Sequence, residues 1–199
     1  EKSYISRKEQ AVLTKKKIFD TTVLLIKKKG YNKITIREIC NNAEISVGTF
    51  YLYFLSKDDI LLDIYNGLVQ NLTDAQLPDS NLTVSGQILQ YIEYFLRQLQ
   101  NSFDKDLIQE IYRINISSGQ DVVLSPDNTL FQSIVRLLEH PTDTEHVLYS
   151  CTPETLTRRI MIFVHGFLMH WLVEESDDFE KMLGECLTEL NHYLSLYFV

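Results

Sequence analysis

Cysteine is scarce in this 199-residue chain: Cys40, Cys151 and Cys186 stand far apart and are odd in number. A disulfide framework is thereby excluded, since at least one thiol stays unpaired within the chain, and no Cys-x-x-Cys spacing offers metal ligands. The five histidines, His140, His146, His165, His170 and His192, form no His-x-x-x-His pair. The thiols are therefore expected to be reduced core residues, and neither a metal nor any other cofactor is expected. Long apolar runs are also missing, and the first residues are polar and basic rather than signal-like. A cytoplasmic protein with no membrane partner is the expectation. No stretch alternates as a half-buried strand would, so the fold class is read as all-α. No Ser, Cys or Lys has a recognisable base partner, which speaks against an enzyme; an activity screen is the check on a helical-bundle enzyme.

What is present is an ordinary globular composition, 45% hydrophobic and 23% charged. That length buries one good-sized core or two small ones. The net charge of −8 is unevenly spread: residues 1–66 hold 12 Lys and Arg against 8 Asp and Glu, while residues 67–199 hold 7 against 19. A basic head on an acidic body suits a modular DNA binder, because only the face that meets phosphate needs cations.

The stretch that organises the chain is residues 35–57, TIREICNNAEISVGTFYLYFLSK. Thr35 with Glu38 three residues on matches a capping box, so a helix begins at Ile36. Ile36, Ile39, Cys40 and Ala43 then share one face. Ser46 is a good N-cap for a second helix, leaving a turn of about three residues, as a helix-turn-helix requires. Val47, Gly48 and Thr49 form its first turn and put nothing bulky between backbone and groove. Phe50 and Phe54 point inward, whereas Thr49, Tyr51 and Tyr53 offer hydroxyls to phosphate. Ser56 with Asp59 repeats the capping pattern, and Lys57 is a further phosphate ligand.

In this order the residues resemble the DNA-binding head of the TetR family of transcriptional regulators, with Ala43, Ile45, Ser46, Gly48, Thr49, Tyr51, Phe54 and Lys57 on the family pattern. Two positions depart from it: Cys40 replaces a usual Ala, and Glu44 replaces a usual Gly. In a left-handed turn position a non-Gly residue costs roughly 1–2 kcal/mol.

The remaining segments read as helices. An arm of residues 1–8 precedes a helix from Glu9 to Lys29, stopped by Gly30. Lys2, Arg7 and Lys8 of the arm are candidates to reach DNA. The fourth helix starts at Lys57, carries Ile60, Leu61, Ile64, Leu68 and Leu72, and breaks at Leu77-Pro78. Further helices carry Ile88 to Leu99, Leu107 to Ile114 with a stop at Gly119, and Leu130 to Leu138 opened by Ser125-Pro126. Residues 142–151 are read as one short helical turn. Thr152-Pro153-Glu154 starts a long helix to Glu175, and Asp177-Asp178 opens the last. Gly166 and Gly184 cost roughly 1 kcal/mol apiece inside helices, which suggests close approach of neighbouring backbones.

Two domains are expected: residues 1–56 as an N-terminal three-helix DNA-binding domain, and residues 57–199 as an all-helical effector-binding and dimerisation domain. The family resemblance implies a homodimer on a palindromic double-stranded DNA operator, most often as a repressor. Ser46, Val47 and Gly48 would face bases; Thr35, Thr49, Tyr51, Tyr53 and Lys57 would hold the backbone. It also implies a small hydrophobic effector in a pocket among the middle helices, for which Tyr91, Phe95, Tyr112, Asn115, Phe131 and His165 are the candidates. The last two helices would pair with a second copy through Phe163, Phe167, Trp171, Met182, Cys186, Leu190 and Tyr193. The alternative is an architectural or division-related DNA binder without an effector.

Overall fold

The computed structural model describes residues 6–75, 78–119, 124–140 and 151–198, with backbone alone over 71–75. The expectations for Lys2 and Leu77, for the side chain of Leu72, and for residues 142–150, lie outside the described residues. Among the described residues the chain is all-α, with no strand. Its helices are α1 (Arg7–Lys29), α2 (Ile36–Asn42), α3 (Val47–Tyr51), α4 (Lys57–Ala75), α5 (Val84–Ser102), α6 (Lys105–Ser118), α7 (Thr129–Glu139), α8 (Pro153–Val173) and α9 (Phe179–Leu194). They divide into two compact units, Glu1–Tyr65 and Asn66–Val199. The division falls inside α4 rather than at its first residue.

The first unit sets the long α1 against α2 and α3, of 7 and 5 residues, neither of which is long enough to persist alone. Ile18 and Leu25 of α1, Ile39 and Cys40 of α2, Phe50 of α3, and Phe54 and Ile60 beyond it form one buried cluster. Helix α1 starts on a complete capping box: Ser6 N donates to Glu9 Oε2 at 2.8 Å and Glu9 N to Ser6 Oγ at 3.2 Å. The bond from Ser6 N, with a smaller contribution from the Ser6 hydroxyl, holds the Glu9 carboxyl below its usual range. Gly30 ends it at φ 78° and ψ 152°, a combination open to glycine.

In the second unit α8 packs between α7 and α9, and α5 packs against both of those flanking helices. The helix starts are capped as the residue types dictate. Thr152 Oγ1 accepts from Thr155 N at 3.3 Å, with Pro153 in the first turn. Asp178 Oδ1 accepts from Lys181 N at 3.0 Å. Helix α6 ends, as expected, at a left-handed Gly119. Helix α7 differs from the sequence reading: Asn128 Oδ1 accepts from Leu130 N at 2.9 Å and the helix starts at Thr129, while Ser125 Oγ closes a local turn on Asp127 N at 3.2 Å. Asn competes well with Ser as a cap, and the three residues that follow Ser125 form that turn first. The glycine expectation is also corrected. A Cβ added at Gly166 or Gly184 would meet no atom within 4 Å, so neither serves a close approach inside this chain.

Candidate functional site

Helices α2 and α3 meet through a turn whose sharpest residue is Glu44, at φ 50° the one non-glycine with positive φ among the described residues. The Ile45 amide donates to Cys40 O at 3.0 Å, closing the turn. Glu44 leaves its carboxylate in solvent, where Lys17 Nζ meets it at 3.0 Å. Ser46 is the expected cap: its Oγ accepts from Thr49 N at 3.0 Å and lies 2.8 Å from Thr49 Oγ1. Thr35 Oγ1 accepts from Glu38 N at 3.2 Å, but the reciprocal half of that box is missing because Lys29 Nζ takes the Glu38 carboxylate. The Ser56–Asp59 box is complete, and Asp59 Oδ2 also accepts from Leu55 N at 2.7 Å.

Ser46, Val47 and Gly48 are exposed, Thr49 and Tyr53 are half-buried, Thr35 is exposed, and Tyr51 is 50% exposed. Phe50 underneath is fully buried and meets the Tyr51 ring edge-on, centroids 5.4 Å apart. The Tyr51 ring is thus held outward by the core residue beside it. Lys57 is placed otherwise. Its Nζ donates to Tyr31 O at 2.9 Å and Ile34 O at 3.3 Å and sits 4.0 Å over the Tyr31 ring. This ammonium braces the turn before α2, and Asp58 takes the Tyr31 hydroxyl. Sequence reading missed two features of this surface: Leu52 and Leu55 are 81% and 82% exposed, and Lys33 and Arg37 are exposed cations on either side of Thr35.

In the second unit the structure brings together three of the six effector candidates. The imidazole of His165 on α8 meets Phe95 and Tyr112 edge-on, at centroid distances of 6.3 and 5.8 Å. Tyr112 Oη lies 2.8 Å from His165 Nδ1. All three are buried, so this is an apolar cluster with one internal polar pair. Tyr91 instead lines a shallow apolar depression with Pro78, Gln90 and Tyr94. Phe131 is buried under the Arg158 guanidinium, 5.8 Å from its centroid, and Asn115 is half-buried.

The residues expected to meet a second copy fall into two groups. Phe163, Phe167 and Tyr193 are partly exposed, with Phe163 stacked on Tyr193 at 5.7 Å. Trp171, Met182, Cys186 and Leu190 are buried within the chain's own second unit. The exposed apolar arc of α8 runs instead through Ile162, Phe163, Gly166, Phe167 and Val173. Burial pushes the Cys186 thiol up to about 12, and raises that of Cys40 as well; all three cysteines are free.

Comparison with known proteins agrees with this geometry. Residues 18–64 match the family described as bacterial regulatory proteins, tetR family. The uncharacterised HTH-type transcriptional regulator YuxN of Bacillus subtilis is 43% identical over 51 residues, 26% of this chain and 18% of that protein. The probable HTH-type transcriptional regulator YttP of the same organism is 28% identical over 134 residues, 62% of this chain and 64% of that one. The matched segments thus span less than two thirds of either relative. Among solved structures, Thermus thermophilus FadR, a TetR-family transcriptional repressor in complex with lauroyl-CoA, superposes with a TM-score of 0.62 at 17% identity, over 88% of this chain and 92% of that one. At that identity the likeness is one of fold.

Proposed function

As the chain is a TetR-family DNA-binding transcriptional regulator, we propose that it is a homodimeric repressor which leaves a palindromic operator when a small hydrophobic effector binds its helical second unit. The observation that carries the DNA half is the bare first turn of α3, where Ser46, Val47 and Gly48 are exposed beside an outward Tyr51. In this reading those three residues face bases, while Thr35, Thr49, Tyr51 and Tyr53 hold phosphates and fix the register. Lys57 is reassigned from phosphate ligand to brace, and the nearby cations become Lys33 and Arg37. One such motif reads only a few base pairs, so two copies must act together. Two-fold symmetry puts their recognition helices about 34–36 Å apart, or a multiple of that, along the duplex.

The effector half rests on the Phe95–Tyr112–His165 cluster, apolar on its surroundings with one polar pair to orient a ligand. The lauroyl-CoA held by the Thermus protein of the same fold favours an acyl compound. Effector and operator are then coupled by one free energy that acts in both directions. The test is to select duplexes from a random pool with the full chain, measure affinity across salt, and titrate acyl-CoAs of increasing chain length. A steep salt dependence and release by one range of chain lengths are expected. An acyl-CoA that binds the protein without weakening the operator complex removes the ligand-responsive reading and leaves the architectural one.

A further inference from the structure

The surface that α3 offers a groove is unusual in what it omits. Residues 46–52, SVGTFYL, contain no Arg, Lys, Asn, Gln, Asp or Glu, the side chains that pair with base edges through two hydrogen bonds or accept from cytosine. The two hydroxyls of its first turn are turned on each other: Ser46 Oγ accepts from Thr49 N at 3.0 Å and lies 2.8 Å from Thr49 Oγ1. Phe50 is fully buried. Gly48 presents backbone alone, and a Cβ there would meet only Ser46 Oγ, at 3.7 Å, so its bareness is not imposed by packing. Two branched apolar side chains are left standing: Leu52, 81% exposed, lies past the last residue of α3, and Val47, 41% exposed, lies in its first turn, with Tyr51 one helical turn on along the same face.

A short isopropyl group beside bare backbone has one complement on the major-groove edge of a base pair, the C5-methyl of a pyrimidine. We propose that Val47 reads that methyl group, so that the operator is chosen at one position per half-site by a buried methyl rather than by side-chain hydrogen bonds. The proposal rests on the reading of α3 as the element that enters the groove. Thymine is the ordinary source of such a methyl, and 5-methylcytosine presents the same group at the same place.

The experiment starts from the operator selected with the full chain and replaces each thymine in turn, in both half-sites, by deoxyuridine. That change removes the methyl and keeps every base-pair hydrogen bond. At one symmetric position the affinity is expected to fall roughly fourfold per half-site, the effect of one buried methyl-sized group, with smaller changes elsewhere. Val47→Ala is expected to bind thymine and uracil equally at that position while keeping its discrimination at the others. Placing cytosine there and then 5-methylcytosine is expected to restore affinity by the same factor in the parent chain and by none in the variant. Equal binding of thymine and uracil at every position overturns the proposal, as does an undiminished preference for thymine in Val47→Ala. Recovery of no duplex from the pool overturns the α3 reading and this proposal with it, an outcome distinct from either. Val47 is partly exposed, and a thermal melt of the variant matching the parent confirms that the comparison is between folded proteins.

Discussion

Glu44 and Gly30 separate two reasons for which a backbone position prefers glycine. Gly30 sits at φ 78° and ψ 152°, and a Cβ there would meet nothing within 4 Å, so Gly30→Ala is penalised by conformation alone. A loss of about 1–3 kcal/mol is expected from a denaturant melt. At Glu44, φ 50° already bears a side chain. Glu44→Gly removes roughly 1–2 kcal/mol of left-handed strain, set against about 0.5–1 kcal/mol of added unfolded-state entropy and a surface pair with Lys17 worth under about 1 kcal/mol. The melt is expected to move upward by less than about 1 kcal/mol, and any fall shows the Lys17 contact and the added entropy together to outweigh the strain. Lys57 makes the opposite case. Lys57→Met strips hydrogen bonds from Tyr31 O and Ile34 O, so a stability loss of about 1–3 kcal/mol is expected, with the salt slope of DNA binding unchanged. A slope lower by about one restores it to the phosphate contacts. Ser46 as a cap and Phe50 as core were legible because both depend on neighbours within one turn. The inward course of Lys57 was not, because its acceptor lies 26 residues upstream and depends on how α1 hands the chain to α2. Thiol chemistry follows the same burial logic. With Cys186 pushed up to about 12 by desolvation and Cys40 also raised, a thiol reagent at mildly alkaline pH is expected to modify half-buried Cys151 alone until the chain unfolds.

At the scale of the element, the existence and order of the α-helices among the described residues were readable, while starts and faces were not always. The run from Thr152 to Glu154 and the pair Asp177-Asp178 marked α8 and α9 because cap and first-turn signals coincide there with an apolar stripe. Ser125-Pro126 carried the same signal, yet the helix waits for Asn128. The start of α4 is the element whose cap does the most. Asp59 Oδ2 accepts from both Leu55 N and Ser56 N, at 2.7 and 3.2 Å, in return for the bond its own amide gives Ser56 Oγ. Asp59→Ala leaves both donors to solvent and is expected to lower stability by about 1–2 kcal/mol, read as earlier melting of the first unit. Asp59→Asn keeps an acceptor and is expected to recover about half of that. Equal losses from the two variants locate the effect in charge at the helix start instead of in the box.

For the whole molecule the unresolved matter in a sequence of this kind is which arc of an almost wholly apolar helix faces its own chain and which faces another. Periodicity cannot separate them on α8, where both arcs carry apolar residues; Trp171, Met182, Cys186 and Leu190, assigned to a second copy by the family resemblance, are buried within the second unit. Exposure does separate them. Ile162 and Val173 are 53% and 74% exposed on α8, on the arc that carries Phe163, Phe167 and the unfilled Gly166. Isolated exposed residues need no explanation, but an aligned set of branched, aromatic and bare positions over three turns is the form of a helix–helix contact. For the homodimer proposed above, Ile162→Glu is therefore expected to convert dimer to monomer in sedimentation while leaving the melt of the isolated chain within about 0.5 kcal/mol, as befits a surface substitution. Because each copy brings its own phosphate contacts, the monomer is expected to show about half the salt slope of the parent on the same operator. It is also expected to lose the preference for two half-sites over one. A variant that stays dimeric with an undiminished slope moves the proposed interface away from this arc of α8.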